Sequence, residues 1–401
     1  MKKSHIDWCP VIPDHWEEKR IKDIAFLQSG NSITAMDIAE EGKYPVYGGN
    51  GLRGYTNNYT NDGDYVLIGR QGALCGNINY AYGKFYATEH AVVVYTKNEE
   101  ITYWLGETLK AANLNRLSMT AAQPGLAVST LNIQFIPYPP RKERIRIANY
   151  LAEKCTEIDT QVSLLISKRD AYLRLKKSII NHAVTRGLNP NVKMKDSGIE
   201  WIGEVPEHWE VKRMKDIFFE RKELSLTGEE DLLSVSEFYG VARRKDKMNS
   251  DEEFESRADS LVGYKICKAH DLVINIMLAW KTGLGISDND GIVSPAYAVY
   301  EGRNIASHFY HYLLRSGMYV KEFKRHSKGI IDSRLRLYND RFNNISAIYP
   351  PLPEQRVIAT YLDDKCAKID TIVSNLDKQI SRYADLKRSL IDEVITGKRA
   401  V

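Results

Sequence analysis

Pro13-Asp14-His15-Trp16-Glu17-Glu18-Lys19 gathers carboxylates and a lysine that superficially suggest the cluster of a metal-dependent nuclease. The spacing is too tight for two strands to present metal ligands. A related stretch later in the chain also replaces Asp14 with Glu207 and Glu18 with Val211. His15 and His208 recur, each beside a tryptophan on a proline-anchored turn, and read as packed structural groups. Tyr-Pro-Pro occurs at 138–140 and at 349–351. An adenine methyltransferase needs a polar residue ahead of the two prolines to hold the amino group, and here tyrosine stands in that place. No GxxxxGK[ST] phosphate loop exists, and no glycine fingerprint follows a strand and opens a helix in a form that would hold a nucleotide or S-adenosylmethionine. The expectation is a chain without catalytic residues, metal ligands or a cofactor of its own.

Charge points more usefully. Lys+Arg and Asp+Glu number 56 and 52, so the net charge of +4 argues for no particular partner. Its distribution is uneven: residues 141–188 hold 11 Lys/Arg against 5 Asp/Glu, and 315–341 hold 8 against 3. Clustered cations of this kind fit phosphate neutralisation, although a charge run is more often a solvated face. Residues 28–136 are slightly acidic, 7 against 9, so any contact to DNA there must use tyrosine, asparagine, glutamine and a few arginines.

The elements that must position such groups follow from length and pattern. A chain of 401 residues suits two to three domains, with enough apolar residues (43%) to bury a core without disulfides. Five widely spaced cysteines, Cys9, Cys75, Cys155, Cys267 and Cys366, contain no CxxC pair and give neither a disulfide framework nor a zinc spacing. The first residues lack the apolar core of a secretory signal, and no apolar run reaches membrane-spanning length. A reduced, cytoplasmic protein is expected.

The chain repeats itself. Ile6–Phe26 aligns without gaps on Ile199–Phe219, 12 of 21 positions being identical, and Tyr138–Arg186 aligns on Tyr349–Gly397 with 22 of 49 identical. Between these blocks, segments 27–137 and 220–348 resemble each other only in strand-like runs after an aspartate (following Asp64 and Asp271) and in Ala91–Tyr95 and Ala296–Tyr300. A tandem period near 200 residues is a duplicated domain, not a solenoid. Duplication for size alone does not explain why only the middles diverged. Ile369, Val373, Leu376, Ile380, Tyr383, Leu390 and Val394 form a heptad seam broken at Lys387. Its counterpart, Ile158, Val162, Leu165, Tyr172, Ile179 and Ala183, is broken by Arg169 and Lys176. Each seam needs an apolar partner, and the other copy supplies one. Pro353 suits a helix start, and Gly187 and Gly397 suit the helix ends. Pro45–Tyr103 reads as short strands and loops. Leu272–Ile276 and Ile292–Tyr300 read as strands, Ser307–Arg325 as a helix, and Asn189–Asn191 as a linker.

Ile-Pro-Asp-His-Trp (12–16) and Val-Pro-Glu-His-Trp (205–209), each followed by Lys-Arg, carry a resemblance that spans the whole chain. Tyr44–Gly51, Pro350–Arg356 with its degenerate copy Pro139–Arg144, and the long helix closing in Thr-Gly-Lys add to it. On these marks the chain resembles the specificity subunit of type I restriction-modification systems. The resemblance implies an α+β architecture of two mixed α/β target recognition domains separated by two long antiparallel coiled-coil helices, with a pseudo-twofold internal repeat. The expected boundaries are 1–140 and 198–351 for the recognition domains, 141–188 and 352–401 for the helical spacers, and 189–197 for the linker. It also implies double-stranded DNA and two modification subunits as partners, with restriction subunits joining through the complex. S-adenosylmethionine then belongs to the modification subunit, and ATP and Mg to the restriction subunit. The first copy departs from Pro-Leu-Pro-Glu-Gln at Arg141-Lys142, which could alter its helix start. A DNA-independent coiled-coil scaffold is the rival class, and a self-sufficient methyltransferase a second.

Polar or cationic groups in Gly-rich or loop-like stretches are then expected to face base edges or phosphates. In the first domain these are Tyr47, Asn50, Arg53, Arg70 and Gln71; in the second, Arg243, Arg244, Lys281, Arg334 and Arg336. Trp16, Trp209, Tyr150, Tyr361, Tyr172 and Tyr383 are the expected partner-binding residues. A helical seam of about 27 residues spans roughly 40 Å, near one turn of DNA at about 34–36 Å, so the helices are expected to set an unread spacer in a bipartite target. For the two copies to have equivalent surroundings, block 6–26 must sit beside Thr396–Arg399.

Overall fold

The computed structural model describes residues 1–401 apart from 73, 98–101, 119–124 and 248–259. The chain divides into two compact units, Met1–Ile166 with Asp377–Val401, and Ser167–Leu376. Each long helix therefore contributes to both units.

In the first unit the central sheet has four antiparallel strands in the order Ala25–Ser29, Ala91–Thr96, Tyr65–Gly69, Ile78–Ala81. Its residues alternate between two cores. Val66, Ile68, Val92 and Val94 face Trp104, Leu105 and Leu109 of helix Thr102–Ala111 and the long-helix residues Ile147, Leu151, Leu390 and Val394. Leu67, Ala81 and Val93 face a second cluster with Phe85, Ala87 and Tyr47. That cluster lies under a smaller sheet in the order Gly51–Thr56, Tyr44–Gly48, Lys84–Ala87, Asn61–Asp62. A strand covered on both faces has no polar side to present, so Val-Leu-Ile and Ala-Val-Val-Val read as continuous apolar runs.

The second unit repeats this plan. Phe218–Glu220, Tyr297–Gly302, Leu272–Asn275 and Leu284–Ile286 form a four-stranded sheet with the same order of equivalent strands. Leu272, Ile274, Leu284 and Ala298 pack on the helical side, and Val273 and Val299 on the other. The far layer differs from that of the first unit. It consists of hairpin Leu233–Ser236/Gly240–Arg243 and the pair Lys265–Cys267/Gly291–Val293.

The conserved blocks build the same frame twice. Glu17–Arg20 pairs with Phe135–Tyr138 and Glu210–Arg213 with Ser346–Tyr349, so each strand leads directly into a long helix. The helices are Arg141–Arg186 and Leu352–Ile395, and their starts are equivalent at the repeat offset of 211 residues. Arg141-Lys142 thus does not shift the first helix. The position three residues on explains why. Arg144 and Gln355 are both buried (3% and 0% exposed), and each donates a 2.7 Å hydrogen bond to the first proline of its Tyr-Pro-Pro, at Pro139 O and Pro350 O. Two different side chains do the same work at one position. Gly187 and Gly397, at φ +74° and +71°, follow the helix ends as expected.

Within each unit the two helical stretches run antiparallel. In the first, Ile147, Leu151 and Ile158 share a core with Leu390, Val394 and Ile395. In the second, Ala183 and Val184 share one with Ile358, Ala359 and Leu362. The lysines that interrupt the seams are accounted for by aspartates on the opposing helix. Lys387 Nζ lies 2.7 Å from Asp159 and Lys176 Nζ 2.6 Å from Asp370, and both members of the pair recur at the 211-residue offset.

Three local expectations are corrected. Met194–Asp196, placed in the linker, is a strand paired with Glu204–Pro206; it answers to Lys2–Ile6 and Cys9–Ile12 in the first unit. Ser307–Arg325 is two helices, Ser307–Leu314 and Gly317–His326, separated at Arg315-Ser316. Ile292–Tyr300 is likewise two strands, Gly291–Val293 and Tyr297–Gly302. Among the described residues no helix is long and apolar enough to cross a membrane.

Candidate nucleic-acid interface

In the first unit three turns come together at one end of the sheets. The turn after Tyr44–Gly48 carries Asn50, whose Oδ1 accepts from Asn77 Nδ2 at 3.2 Å. Arg70 follows strand Tyr65–Gly69, its backbone N–H donating to His90 O at 2.8 Å and one guanidinium nitrogen lying 3.3 Å from Ser29 Oγ. Gln71 is exposed beside it, bridged through the backbone to Gly125. Arg53 is exposed on the same hairpin as Asn50, on strand Gly51–Thr56. The structure therefore gathers Asn50, Arg70 and Gln71, with Arg53 on the adjoining strand. Tyr47 is different. Its ring packs edge-on against Phe85 at 5.8 Å, and burial pushes its hydroxyl pKa up. It supports the turn from within.

In the second unit the candidates fall into two groups. Arg243 closes strand Gly240–Arg243 with Nε 3.3 Å from Asp231, a carboxylate that also holds Lys245 at 2.7 Å. The Lys245 hydrogen bond lowers the pKa of Asp231. Asp231 thus occupies part of the cationic face that Arg243 and exposed Arg244 would offer. Lys281 belongs to a second group around half-buried Trp280. Lys281 and Lys324 both stand over the indole, 4.9 and 5.0 Å from its centroid, and Lys324 also holds Asp332 at 2.9 Å. Exposed Arg334 lies two residues beyond Asp332. Arg336 pairs through its backbone with Lys328, and Leu337 N–H bonds Ile276 O at 2.9 Å, which ties this loop to the segment leading into Trp280. Sequence reading missed Trp280, Lys324 and Asn77; the Lys/Arg excess of 315–341 was the signal for Lys324.

The expected partner-binding residues are placed unevenly. Trp16 and Trp209 are buried (1% and 0% exposed) and cannot meet a partner directly. Each instead packs against the glycine that ends a long helix, Trp16 against Gly397 and Trp209 against Gly187. The expected adjacency of block 6–26 and the C-terminal residues is thus present inside the first unit. The histidines beside them are not buried. His15 Nε2 lies 2.9 Å from Glu143 and His208 Nε2 2.7 Å from Glu354, each acid sitting in the first turn of a long helix where the helix dipole favours it. Trp209 Nε1 also donates to Glu354 at 2.9 Å, whereas the buried Trp16 indole N–H has no hydrogen-bond partner among the described residues. Tyr150, Tyr361 and Tyr383 are half-buried against their unit's core, and Tyr172 is half-buried on the first helix. A groove of about 840 Å³ runs beside Lys387 and Ile391 in the first unit, and one of about 600 Å³ beside the equivalent Lys176 and Ile180 in the second.

Residues 13–164 and 206–382 match the family described as type I restriction modification DNA specificity domain. A stretch of 139 residues is 42% identical to the type I restriction enzyme EcoprrI specificity subunit of Escherichia coli, spanning 34% of this chain and 35% of that protein. The MjaVIII specificity subunit of Methanocaldococcus jannaschii is 22% identical over 418 residues, covering 96% of this chain and 93% of that one. Among solved structures, a chain from a study of complex assembly and conformational transition in the type I R-M system matches with a TM-score of 0.68 at 14% identity, covering 97% of this chain and 100% of that chain. The HsdS subunit from Thermoanaerobacter tengcongensis gives 0.51 at 14%, over 97% and 98%. At these identities the structural likeness speaks to the fold.

Proposed function

The chain belongs to the type I restriction-modification DNA specificity family, and from that premise we propose how it divides its labour. It is a specificity subunit, and DNA target recognition is its task. Each unit reads one half of a bipartite double-stranded target through its far layer and turn cluster. The repeated frame docks two modification subunits, which bind S-adenosylmethionine. Restriction subunits, with ATP and Mg, join through them in the cytoplasm. This chain contributes no catalytic group, and the long helices set the unread spacer between half-sites.

The observation that carries this reading is one frame built twice around two different middles. Strand pairing, helix start, tryptophan–glycine contact, seam ion pair and groove all recur in equivalent positions. A surface that repeats with internal symmetry docks a partner as often as it repeats, while layers that differ are free to read different sequences. Native mass spectrometry of the chain with its modification subunit tests the docking, with a one-to-two complex expected. A stable one-to-one complex at saturating partner would end the idea of equivalent sites. Duplex binding by that complex should weaken steeply between about 50 and 200 mM salt. A DNA-independent scaffold would show no such dependence.

A further inference from the structure

Hairpin Leu233–Ser236/Gly240–Arg243 turns through three residues, Glu237-Phe238-Tyr239, with Gly240 at φ +85° closing the turn. At its tip Phe238 is 85% exposed. A lone exposed aromatic means little by itself. What sets this one apart is how firmly its backbone is held. Phe238 N–H donates to Ser236 Oγ at 3.1 Å, and Phe238 O accepts from Arg315 Nη2 at 3.0 Å. The same nitrogen reaches Glu237 O at 3.1 Å, while Arg315 Nη1 bonds Thr282 O and Leu284 O, both at 2.7 Å. Thr282 Oγ1 donates to Glu237 O at 2.7 Å, and the Tyr239 hydroxyl lies 3.0 Å from Ser234 Oγ. One arginine thus ties four backbone carbonyls, and the neighbouring aromatic is tethered, so only the phenylalanine ring projects.

The surroundings favour a polyanion. Exposed Lys281 precedes the Thr282 that clamps the turn, and Lys281 and Lys324 share the face of Trp280. The acids nearby are Glu237 in the turn itself, Asp332, which Lys324 already holds, and Asp363 and Asp370, which line the same groove as Phe238 and are held by the Tyr312 hydroxyl and by Lys176. A rigid apolar tip beside cations is the arrangement by which architectural proteins unstack a base step while neighbouring phosphates are neutralised.

We propose that Phe238 is a wedge that enters a base step of the half-site read by the second unit, opening the stack there. The proposal rests on the DNA-reading function above. The ring supplies an apolar surface for the unstacked base, Arg315 acts as a positioning residue for the turn, and Lys281 sits where a flanking phosphate would lie. Because Phe238 buries little of itself in the fold, its removal leaves the unit intact.

The test uses the full chain assembled with its modification subunits, without S-adenosylmethionine, on target duplexes carrying 2-aminopurine at successive positions other than the methylated adenines. This base is quenched when stacked and brightens when unstacked. In the wild-type complex one step in the second half-site should brighten several-fold. Phe238→Ala should abolish that signal and weaken target binding roughly ten-fold, within the range for one base–aromatic stack. Phe238→Trp should retain the signal, and Leu226→Ala, which removes another exposed apolar side chain, should change neither. Unchanged brightening in Phe238→Ala, or no brightened step in the wild type despite tight duplex binding, overturns the wedge alone. Loss of a modification subunit from Phe238→Ala in native mass spectrometry overturns it in favour of a protein contact. Failure of the wild-type complex to bind any duplex overturns the wedge and the DNA-reading function together.

Discussion

Alanine at the two helix-ending glycines should separate a cost common to both units from one confined to the first. Gly187 and Gly397 both sit in the left-handed region, at φ +74° and +71°. A non-glycine residue there costs about 1–2 kcal/mol, so Gly187→Ala and Gly397→Ala share that loss. Their surroundings differ. At Gly187 the new Cβ meets Glu354 Oε1 at 3.0 Å and Trp209 Cζ2 at 3.3 Å, and a carboxylate terminus can move by a few tenths of an ångström. At Gly397 it lies 2.5 Å from both Cγ and Cδ of Pro13 and 3.0 Å from Trp16 Cη2. Neither a proline ring nor a buried indole yields easily, and overpacking of this kind costs about 1–3 kcal/mol more. Gly397→Ala should therefore lose about 2–5 kcal/mol and Gly187→Ala about 1–2 kcal/mol. Domains of this size lose about 2–4 °C per kcal/mol. Calorimetry on the full chain, with hydrogen exchange to assign each transition, should show the larger drop in the first unit. Asparagine, which tolerates the left-handed region, should recover the backbone part of the loss at 187 and little at 397. Equal losses in the two variants, or a Gly397→Ala effect confined to residues 167–376, would refute the close seating of the C-terminal turn on the N-terminal block.

Three further outcomes follow from other contacts. Reversing either charge of the Lys387–Asp159 pair should destabilise the first unit by about 0.2–1 kcal/mol, and exchanging both should restore most of it; a double-mutant cycle in urea reads the coupling, which vanishes if the pair does not form. His311 Nδ1 accepts the Ile286 N–H at 3.3 Å, and burial, aided by Arg315 and His308 against Asp288, pushes its pKa down to about 4. The unfolded chain then takes up this proton first, so the second unit should lose up to about 3 kcal/mol as pH falls from about 6.5 toward 4. The Asp288 pKa, lowered first by its hydrogen bond to His308, adds a loss at lower pH, while raised His308 contributes stability that is already complete below about 6.5 and is lost only as pH rises above that value; urea midpoints across this range should steepen with His311 and flatten in His311→Gln. A circular permutant opened at Asn189–Asn191, with Met1 and Val401 joined by a short linker, should fold and keep its DNA specificity in complementation of the assembled enzyme, because Val401 packs on the first unit's core and the amino terminus holds Asp14 at 3.0 Å.

The features readable from sequence were those fixed by local or periodic rules. Helix starts at Arg141 and Leu352 follow proline pairs, helix ends coincide with glycines, and the apolar runs after Asp64 and Asp271 are the equivalent central strands. What failed depended on distant partners. Met194–Asp196 is three polar-leaning residues that become a strand only because Glu204–Pro206 lies opposite. Trp16 and Trp209 looked like partner contacts because nothing local shows that a glycine some 380 residues away, or 22 residues back, closes over each ring. Tyr47 sits in a Gly-rich stretch that resembles a loop, yet Phe85 from another strand covers it. Phe238 carried no periodic signal, and only Arg315, 77 residues further on, shows that its turn is fixed.

The two middles diverged in sequence yet kept one strand order because the central sheet serves two neighbours. Val66, Ile68, Val92 and Val94, like Leu272, Ile274 and Ala298, must fit a helical frame that the conserved blocks hold constant. That face is constrained in volume and register, since a slip of one residue would exchange the side chains fitted to the helices for those fitted to the far layer. The opposite face has no such fixed partner. In the first unit it carries a four-stranded sheet with the Asn50 and Arg53 hairpin; in the second it carries one hairpin, turning at Phe238 and ending in Arg243, and one antiparallel pair of strands distant in sequence. Substitutions in that outer layer and its turns therefore alter what is presented without disturbing the helix starts, seam ion pairs or tryptophan–glycine contacts. On the proposed function, separating the two demands on opposite faces of one sheet would let a duplicated chain change either reading surface alone while both copies stay equivalent to a common partner.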